Sequence, residues 1–494
     1  MRWPLWVRWT ATSGAFAILS TAPGLAQNPR DGHHAGPETF SMRTLAENLE
    51  NPWDMAWGPD DHLWVTERTA FRVTRISPAN GSSRVAVAID GGYQSVVQDG
   101  LLGLALHPDL LLGKGTDYVF LAYTYDRDAG PDLDRRLRVR RYTYDASTQR
   151  LISPVDLIDG LSAHNDHGGG RMVVGPDGKL YLSRGDNGSN WLANYCNRIR
   201  SQDLPTDAEV RSRDWTNYQG KILRMNLDGS IPADNPVFGG VRSHVYAIGL
   251  RNVQGMVFGP GALLFASDHG PTSDDELNVI ESGRNYGWPH VAGFRDDRAY
   301  VYTNWSASAP AACPSLQFDR VRAPEAVPRS RESDWHDPAF APPIATFFTV
   351  TPDYDFQEFG AATIAPAGID LYTSLAIPGW ANSVLITGMR TGAMYRVKLD
   401  AAGRTAVGEP TEYFRTANRY RDVVISPDGR RFYVATDNFG TTMAPGGGST
   451  SRLTHPGAII EFTYSGLTPA RNRPLIDRPE RDRVHVLDEQ ALAR

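Results

Sequence analysis

Cysteine is nearly absent: the 494 residues contain two, Cys196 and Cys313. They share no Cys-x-x-Cys spacing, so a cysteine-built metal site has no basis. In an oxidising compartment they could pair, which sequence leaves open, and both are assigned a minor structural part. Lysine is almost as scarce. Only four of the 50 basic residues are lysine, Lys114, Lys179, Lys221 and Lys398, the rest being arginine, and the net charge is −6. With no basic stripe and a mildly acidic balance, nothing points to a nucleic-acid partner. No apolar run approaches the ~18 residues of a membrane span. There is no strict glycine period and no heptad, and aromatics make up 10% of the chain. Collagen, coiled coil and disorder are thereby excluded.

Turn formers are plentiful, with 47 Gly and 34 Pro. They are also ordered. Gly58-Pro59-Asp60 precedes His62–Thr66, His107-Pro108-Asp109 precedes Tyr118–Ala122, and Gly175-Pro176-Asp177 precedes Leu180–Ser183. Gly259-Pro260 precedes Leu263–Ser267, and Ser426-Pro427-Asp428 precedes Phe432–Ala435. A sixth unit, Trp380–Ser383 before Val384–Thr387, lacks the proline. Proline followed by Asp or Gly presets a tight turn, and the β-branched and aromatic run after it reads as a strand. Alternating runs such as Arg72–Ile76, Lys221–Leu227 and Met394–Leu399 follow, and their period of two predicts strands with one buried face. Six such units predict an all-β six-bladed propeller with long inter-strand loops on the active-site face. The irregular inserts fall at 194–214 and 297–355.

The N-terminus has Arg2 and Arg8, an apolar stretch from Thr10 to Ala22, and Gly24-Leu25-Ala26 before Gln27. This is a secretory signal layout, predicting a signal peptide over 1–26 and an exported, periplasmic or secreted protein. The propeller domain is placed at 27–465, and the Arg-rich segment 466–494 is read as a loosely structured tail.

Three stretches carry chemical content. His164-Asn165-Asp166-His167-Gly168-Gly169-Gly170-Arg171 puts histidines beside an acid and three glycines, either a polar turn or a general base oriented by a carboxylate. Ser267–Asn278 holds four acids around Gly270-Pro271, either a solvated loop or a hard-cation site using turn carbonyls. Arg251, Arg390, Arg419 and Arg421 stand at blade turns, where a fold that gathered them would make a receptor for carboxylates.

Taken in order, Gln98–Gly103, Asp166-His167 with Gly170-Arg171, Gly220–Arg224, Asp228–Pro232, Arg251-Asn252 with Gln254-Gly255, Gly270-Pro271 with Asp274–Glu276, Asn285–Pro289 and Arg419–Asp422 form a set. That set resembles the glucose/sorbosone (aldose sugar) dehydrogenase family, and within it the soluble PQQ-dependent glucose dehydrogenases. The resemblance implies a six-bladed propeller holding pyrroloquinoline quinone (PQQ) with Ca²⁺ and oxidising an aldose at C1. It implies His167 as general base, Arg251 as the charge-stabilising arginine, Asp166 and Asp186 as orienting acids, and Gln98 on the substrate side. Asn252, Arg390, Arg419, Arg421 and Asp437 match cofactor contacts, and the carbonyls of Gly270 and Pro271 match ligands of the cofactor's Ca²⁺. A structural calcium group, near the dimer interface in the family, would use Glu276, Tyr286, Ala292, Phe294, Asp296 and Glu332.

The resemblance also implies a small-molecule aldose, a diffusible electron acceptor and a homodimer. Arg390 stands where the glucose enzymes have lysine, and His269 replaces a glutamine. Phe359-Gly360-Ala361-Ala362 lacks the aromatics and small disulfide loop that wall the glucose pocket, so a more open pocket is expected. Two other readings are a calcium-dependent propeller lactonase or hydrolase, and a non-catalytic propeller binding module.

Overall fold

The computed structural model describes residues 36–467 except 96, 129, 445 and 446. The proposed signal peptide lies outside the described residues, as does nearly all of the proposed tail. Six four-stranded antiparallel sheets follow one another: residues 52–88 (blade 1), 101–162 (blade 2), 169–248 (blade 3), 253–347 (blade 4), 366–413 (blade 5) and 420–467 (blade 6). Blade 6 takes its outer strand from the other end of the chain, Glu38–Ala46, which pairs with Ile459–Leu467. Gly466 and Leu467, assigned above to the tail, complete that last strand. The first strands of successive blades contact one another all the way round, blade 6 against blade 1 included, so the ring is closed.

Each repeated turn-then-strand unit is the second strand of a blade, from Leu63–Glu67 in blade 1 to Arg431–Thr436 in blade 6. The turn aspartate has a specific task in blades 1 and 3. Asp60 accepts from Trp64 Nε1 at 3.0 Å and from Arg75 Nε at 2.8 Å. Asp177 accepts from Tyr181 Oη at 2.9 Å and from Arg224 Nε at 3.0 Å. In each case the aromatic and the arginine are cross-strand partners, so one carboxylate ties the turn to two strands.

The expectation of one buried face fails for the third strands of blades 1 and 3, while Ala393–Lys398 in blade 5 keeps the alternation from Tyr395 on. Lys221–Met225 is buried at every position, and Arg72–Ile76 at four of five. The reason is blade-on-blade packing: the six main apolar clusters each join two neighbouring blades, so both faces of a sheet are covered. Alternating polar residues survive burial because each has partners. Lys221 Nζ donates to the carbonyls of Gln219 and Arg200 at 2.8 and 2.9 Å. Burial pushes that amine down to about 7.

Candidate active site

Antiparallel pairing puts the start of each first strand and the end of each second strand at the same rim. Every catalytic and cofactor position named from sequence falls there. His167 precedes the first strand of blade 3 and Asp186 follows its second; Arg251 and Asn252 stand before the first strand of blade 4. Arg390 follows the second strand of blade 5, while Arg419, Arg421 and Asp437 occupy the matching places in blade 6. Gln98 precedes the first strand of blade 2. In all six blades the pairing of first and second strands slips near this end, as at Gly169/Met172, Val253/Gly255 and Tyr420/Asp422. A bulge re-aims the side chains within it. Arg421 and Gln254, both inside such slips, meet across the ring with Nη1 to Oε1 at 3.1 Å.

His167 is buried, and its Nδ1 lies 2.8 Å from Asp186 Oδ1. Asp186 is fully buried; it also accepts from Trp288 Nε1 at 2.9 Å and from the Gly188 amide at 2.9 Å. The carboxylate thus assigns the ring proton to Nδ1 and leaves Nε2 as an acceptor. Asp166 accepts from Gln98 Nε2 at 2.5 Å and from the His167 amide at 3.0 Å. Asp166 and Gln98 therefore brace the backbone beside His167. His167 has φ +46°, a conformation rare for a side-chain-bearing residue and held by this bracing. Gly169, at φ +61°, has no room for a Cβ: Gly185 N would lie 2.7 Å from it.

Arg251 is buried, with its guanidinium 5.6 Å from the Trp191 ring and 5.3 Å from the Trp288 ring. The Arg251 and Asn252 amides donate to the two oxygens of Asp268 at 2.9 and 2.6 Å. Across the rim, Arg421 donates twice to Asp437, from Nε and Nη2 at 2.9 Å each, and Arg419 Nε donates to it at 3.1 Å. Burial alone would raise the Asp437 carboxyl, but the two arginines outweigh it and hold it below the usual range. Arg390 is near enough to depress Arg419 further, after burial has done most of it. His269 lies among these groups. Burial first, then Arg251, His167, Arg421 and Arg419, push its imidazole far down, so it is neutral.

Sequence reasoning missed Arg68. It is buried, bonded through Nη1 to the Asp99 carbonyl, and pushed down to about 10 by burial, with the charges of Asp437, Arg421 and Asp99 acting on it. The repeat could have found it, because Arg68 follows the second strand of blade 1 as Asp437 follows that of blade 6. Trp191 and Trp288 were also missed as site residues. On that side of the rim three arginines, Arg68, Arg419 and Arg421, gather around one carboxylate, Asp437.

The acidic stretch after Asp268 divides. Asp275 is a staple: it accepts from Gly270 N at 2.9 Å, Thr363 Oγ1 at 2.6 Å and Ile364 N at 2.8 Å, and burial raises it to about 7. Gly270 needs to be glycine, since a Cβ would sit 1.9 Å from the Ser273 carbonyl. Among the described residues neither the Gly270 nor the Pro271 carbonyl accepts a hydrogen bond, which suits them to a hard cation. Further out, Glu276 accepts from Gly293 N at 2.7 Å, and Glu332 from Ala292 N and Asp296 N at 3.0 and 3.1 Å. These carboxylates bracket the loop that carries Phe294. Burial, then Asp268, raises Glu276 far above its usual range, and burial raises Glu332 to about 8. Such acids fit a cation. Tyr286 is buried nearby, but its hydroxyl is committed to the Val279 carbonyl at 2.6 Å. Among the described residues no group of three or more His, Cys, Asp or Glu side chains could hold a metal, so any site here leans on carbonyls.

Cys196 and Cys313 form a disulfide with Cα atoms 5.6 Å apart, joining the two irregular inserts. The minor part assigned to them above is corrected: the bridge organises a lobe outside the blades. A cavity of about 230 Å³ opens beside Arg251 and Pro271, lined by Trp191, Trp288, Tyr300 and Phe318. The 356–362 stretch contributes only Phe356 to it, so the wall expected to be thin there is supplied by the other side.

A closed propeller whose single rim holds a carboxylate-oriented histidine together with a cluster of arginines defines a class of protein. Within it, the sequence profile of the glucose / sorbosone dehydrogenase family matches residues 49–337 and 351–444, and the chain belongs to that family. It is 39% identical over 459 residues to quinoprotein glucose dehydrogenase B of Acinetobacter calcoaceticus, covering 90% of this chain and 95% of that one. The PQQ-bound aldose sugar dehydrogenase of Streptomyces coelicolor superimposes with a TM-score of 0.58 at 26% identity, over 87% of this chain and 100% of that one. The apo-form of the soluble aldose sugar dehydrogenase of Escherichia coli gives 0.59 at 22% identity, over 86% and 99%, a likeness of fold.

Proposed function

We propose that the protein is an exported PQQ- and calcium-dependent dehydrogenase that oxidises the C1 hydroxyl of an aldose to a lactone and passes the electrons to a quinone or other diffusible acceptor. The observation that carries this reading is the set of arginines gathered around Asp437 on the rim that also holds His167–Asp186. An acid-rich ligand is the complement such a cluster needs, and PQQ bears three carboxylates. Arg390, Arg419 and Arg421 would hold them, with Arg68 behind; Asp437 keeps two of those forks aligned. Asn252 spends its side-chain oxygen on the Gly169 amide, at 3.3 Å, and on Gln254. Its part is to seat the His167 loop against the cofactor side.

PQQ, when bound, would supply the quinone that accepts two electrons and the C1 hydrogen. His167 Nε2 takes the proton of the anomeric hydroxyl, and Asp186 stabilises the imidazolium that results. Arg251 faces the developing negative charge across the rim, in a desolvated setting where its field is strong. The Gly270 and Pro271 carbonyls would hold the Ca²⁺ that sharpens that polarisation. Glu276, Glu332 and the 292–296 loop would hold a second, structural Ca²⁺, next to the surface through which the enzyme would dimerise.

The test is reconstitution with PQQ and Ca²⁺ followed by dye reduction with a panel of aldoses. Reduction requiring both additions is expected, and H167A should lose at least about 100-fold in kcat. Lactone hydrolysis without PQQ would make the protein a hydrolase instead, and silence in both assays would make it a binding module.

A further inference from the structure

Parts of the inserts at 194–214 and 297–355 come together as one body. Around the Cys196–Cys313 bridge, Trp305, Cys313 and Val327 make a small core against which Tyr195, Leu316 and Phe318 pack. Tyr195 Oη donates to the Leu316 carbonyl at 2.7 Å. Asn190 stitches the body to the rim, donating to the Thr303 carbonyl at 2.8 Å and accepting from the Trp305 amide at 2.9 Å. This core shares no residue with the six clusters between the blades. It is therefore not what keeps the propeller folded.

It does reach the chemistry. Phe318 meets Trp305 at 5.2 Å between ring centroids and stands edge-on to Trp191 at 6.0 Å and 75°. Trp191 in turn lies against the Arg251 guanidinium. Three contacts thus link Trp305, packed on the disulfide, to the arginine proposed to face the developing negative charge. The cavity runs along this line, from Arg251 and Pro271 out to Arg320 and Val321 on the lobe. A lobe with almost no regular strand has much conformational entropy to lose, and a cross-link removes part of that cost.

We propose that this lobe is the wall that selects the sugar, with Trp191, backed by Phe318, as the aromatic platform for a pyranose ring and Cys196–Cys313 as the device that positions it. The proposal rests on the sugar dehydrogenase reading above. A pyranose turns a C–H face toward an aromatic ring, so a platform held in one place discriminates by how a ring's hydroxyls are disposed around that face. Trp191 and Phe318 are only half-buried, leaving surface for such a contact.

The experiment compares wild type, C196S/C313S and F318A, each reconstituted with PQQ and Ca²⁺, on glucose, xylose and maltose. Both variants should raise KM by about five- to ten-fold and flatten the ranking of the three sugars, with kcat within about two-fold and the PQQ titration unchanged. F318W should restore the ranking. Unchanged KM values and ranking in both variants would overturn the proposal, as would loss of PQQ binding in step with KM, which would make the lobe a structural support. Should wild type reduce no dye with any sugar, the dehydrogenase reading fails, and the wall is judged by tryptophan fluorescence during sugar titration without acceptor. A saturable response in wild type that F318A weakens sustains the wall; no response in wild type overturns it.

Discussion

Asp186 does three things with two oxygens: it fixes the tautomer of His167, caps the Gly188 amide and anchors Trp288. Replacing it with asparagine keeps the shape and removes the charge that an imidazolium needs. D186N should lower kcat by about 100- to 10,000-fold with a much smaller change in KM, measured by steady-state dye reduction. His244 gives a contrasting case, a histidine with no part in the chemistry. It is buried, with Nδ1 3.1 Å from Tyr218 Oη and Nε2 3.1 Å from the Gly229 carbonyl. Burial pushes its imidazole down to about 4. The unfolded chain takes up a proton near pH 6.5 that the folded one refuses until about pH 4, so its stabilising share is intact above the first value and lost on descending to the second. Urea midpoints across that range should fall more steeply for wild type than for H244Q, by up to about 3 kcal/mol.

The slipped pairing at the start of every first strand is the device that turns a repeated sheet into a site. It turns Arg171 of blade 3 inward to bond Asp54 of blade 1, while its Nη1 also lies 3.0 Å from Asp422 of blade 6. Those carboxylates hold the Leu104 and Met55 amides at 2.8 and 2.7 Å, and Arg171 Nε donates to the Gln254 carbonyl of blade 4 at 2.8 Å, so five blades meet through one guanidinium. R171M should cost about 3–5 kcal/mol in urea denaturation, and adding D54N and D422N should recover part of it by removing the stranded charges. How much of this was legible varies by strand. Second strands announce themselves, because a Pro-Asp turn and an apolar run are local signals. Outer strands such as Ala345–Phe347 and Thr411–Tyr413 are three residues long and carry none. The rim residues were legible through the resemblance as a set, yet Trp191 and the lobe were not. Their meaning depends on a disulfide between inserts 117 positions apart, and no periodicity encodes that.

The ring as a whole depends on the strand Glu38–Ala46. Glu38 is buried, accepting from Trp380 Nε1 at 2.9 Å and Tyr413 Oη at 3.0 Å in blade 5, while Leu45 joins the core between blades 6 and 1. A chain beginning at Glu47 should lose about 5 kcal/mol or more, read as a lowered urea midpoint or a broken single transition. The same strand sets the order in which the molecule can assemble. Thr39 pairs with Gly466, 427 positions away, so no local event can complete blade 6. Contacts of such separation are slow to form. Until the first strand docks, Ile459–Leu467 presents an unpaired edge rich in β-formers, the kind of surface that recruits other chains. The latch that completes blade 6 thus leaves the nascent form with a second, longer-lived aggregation-prone edge until the two ends of the chain meet.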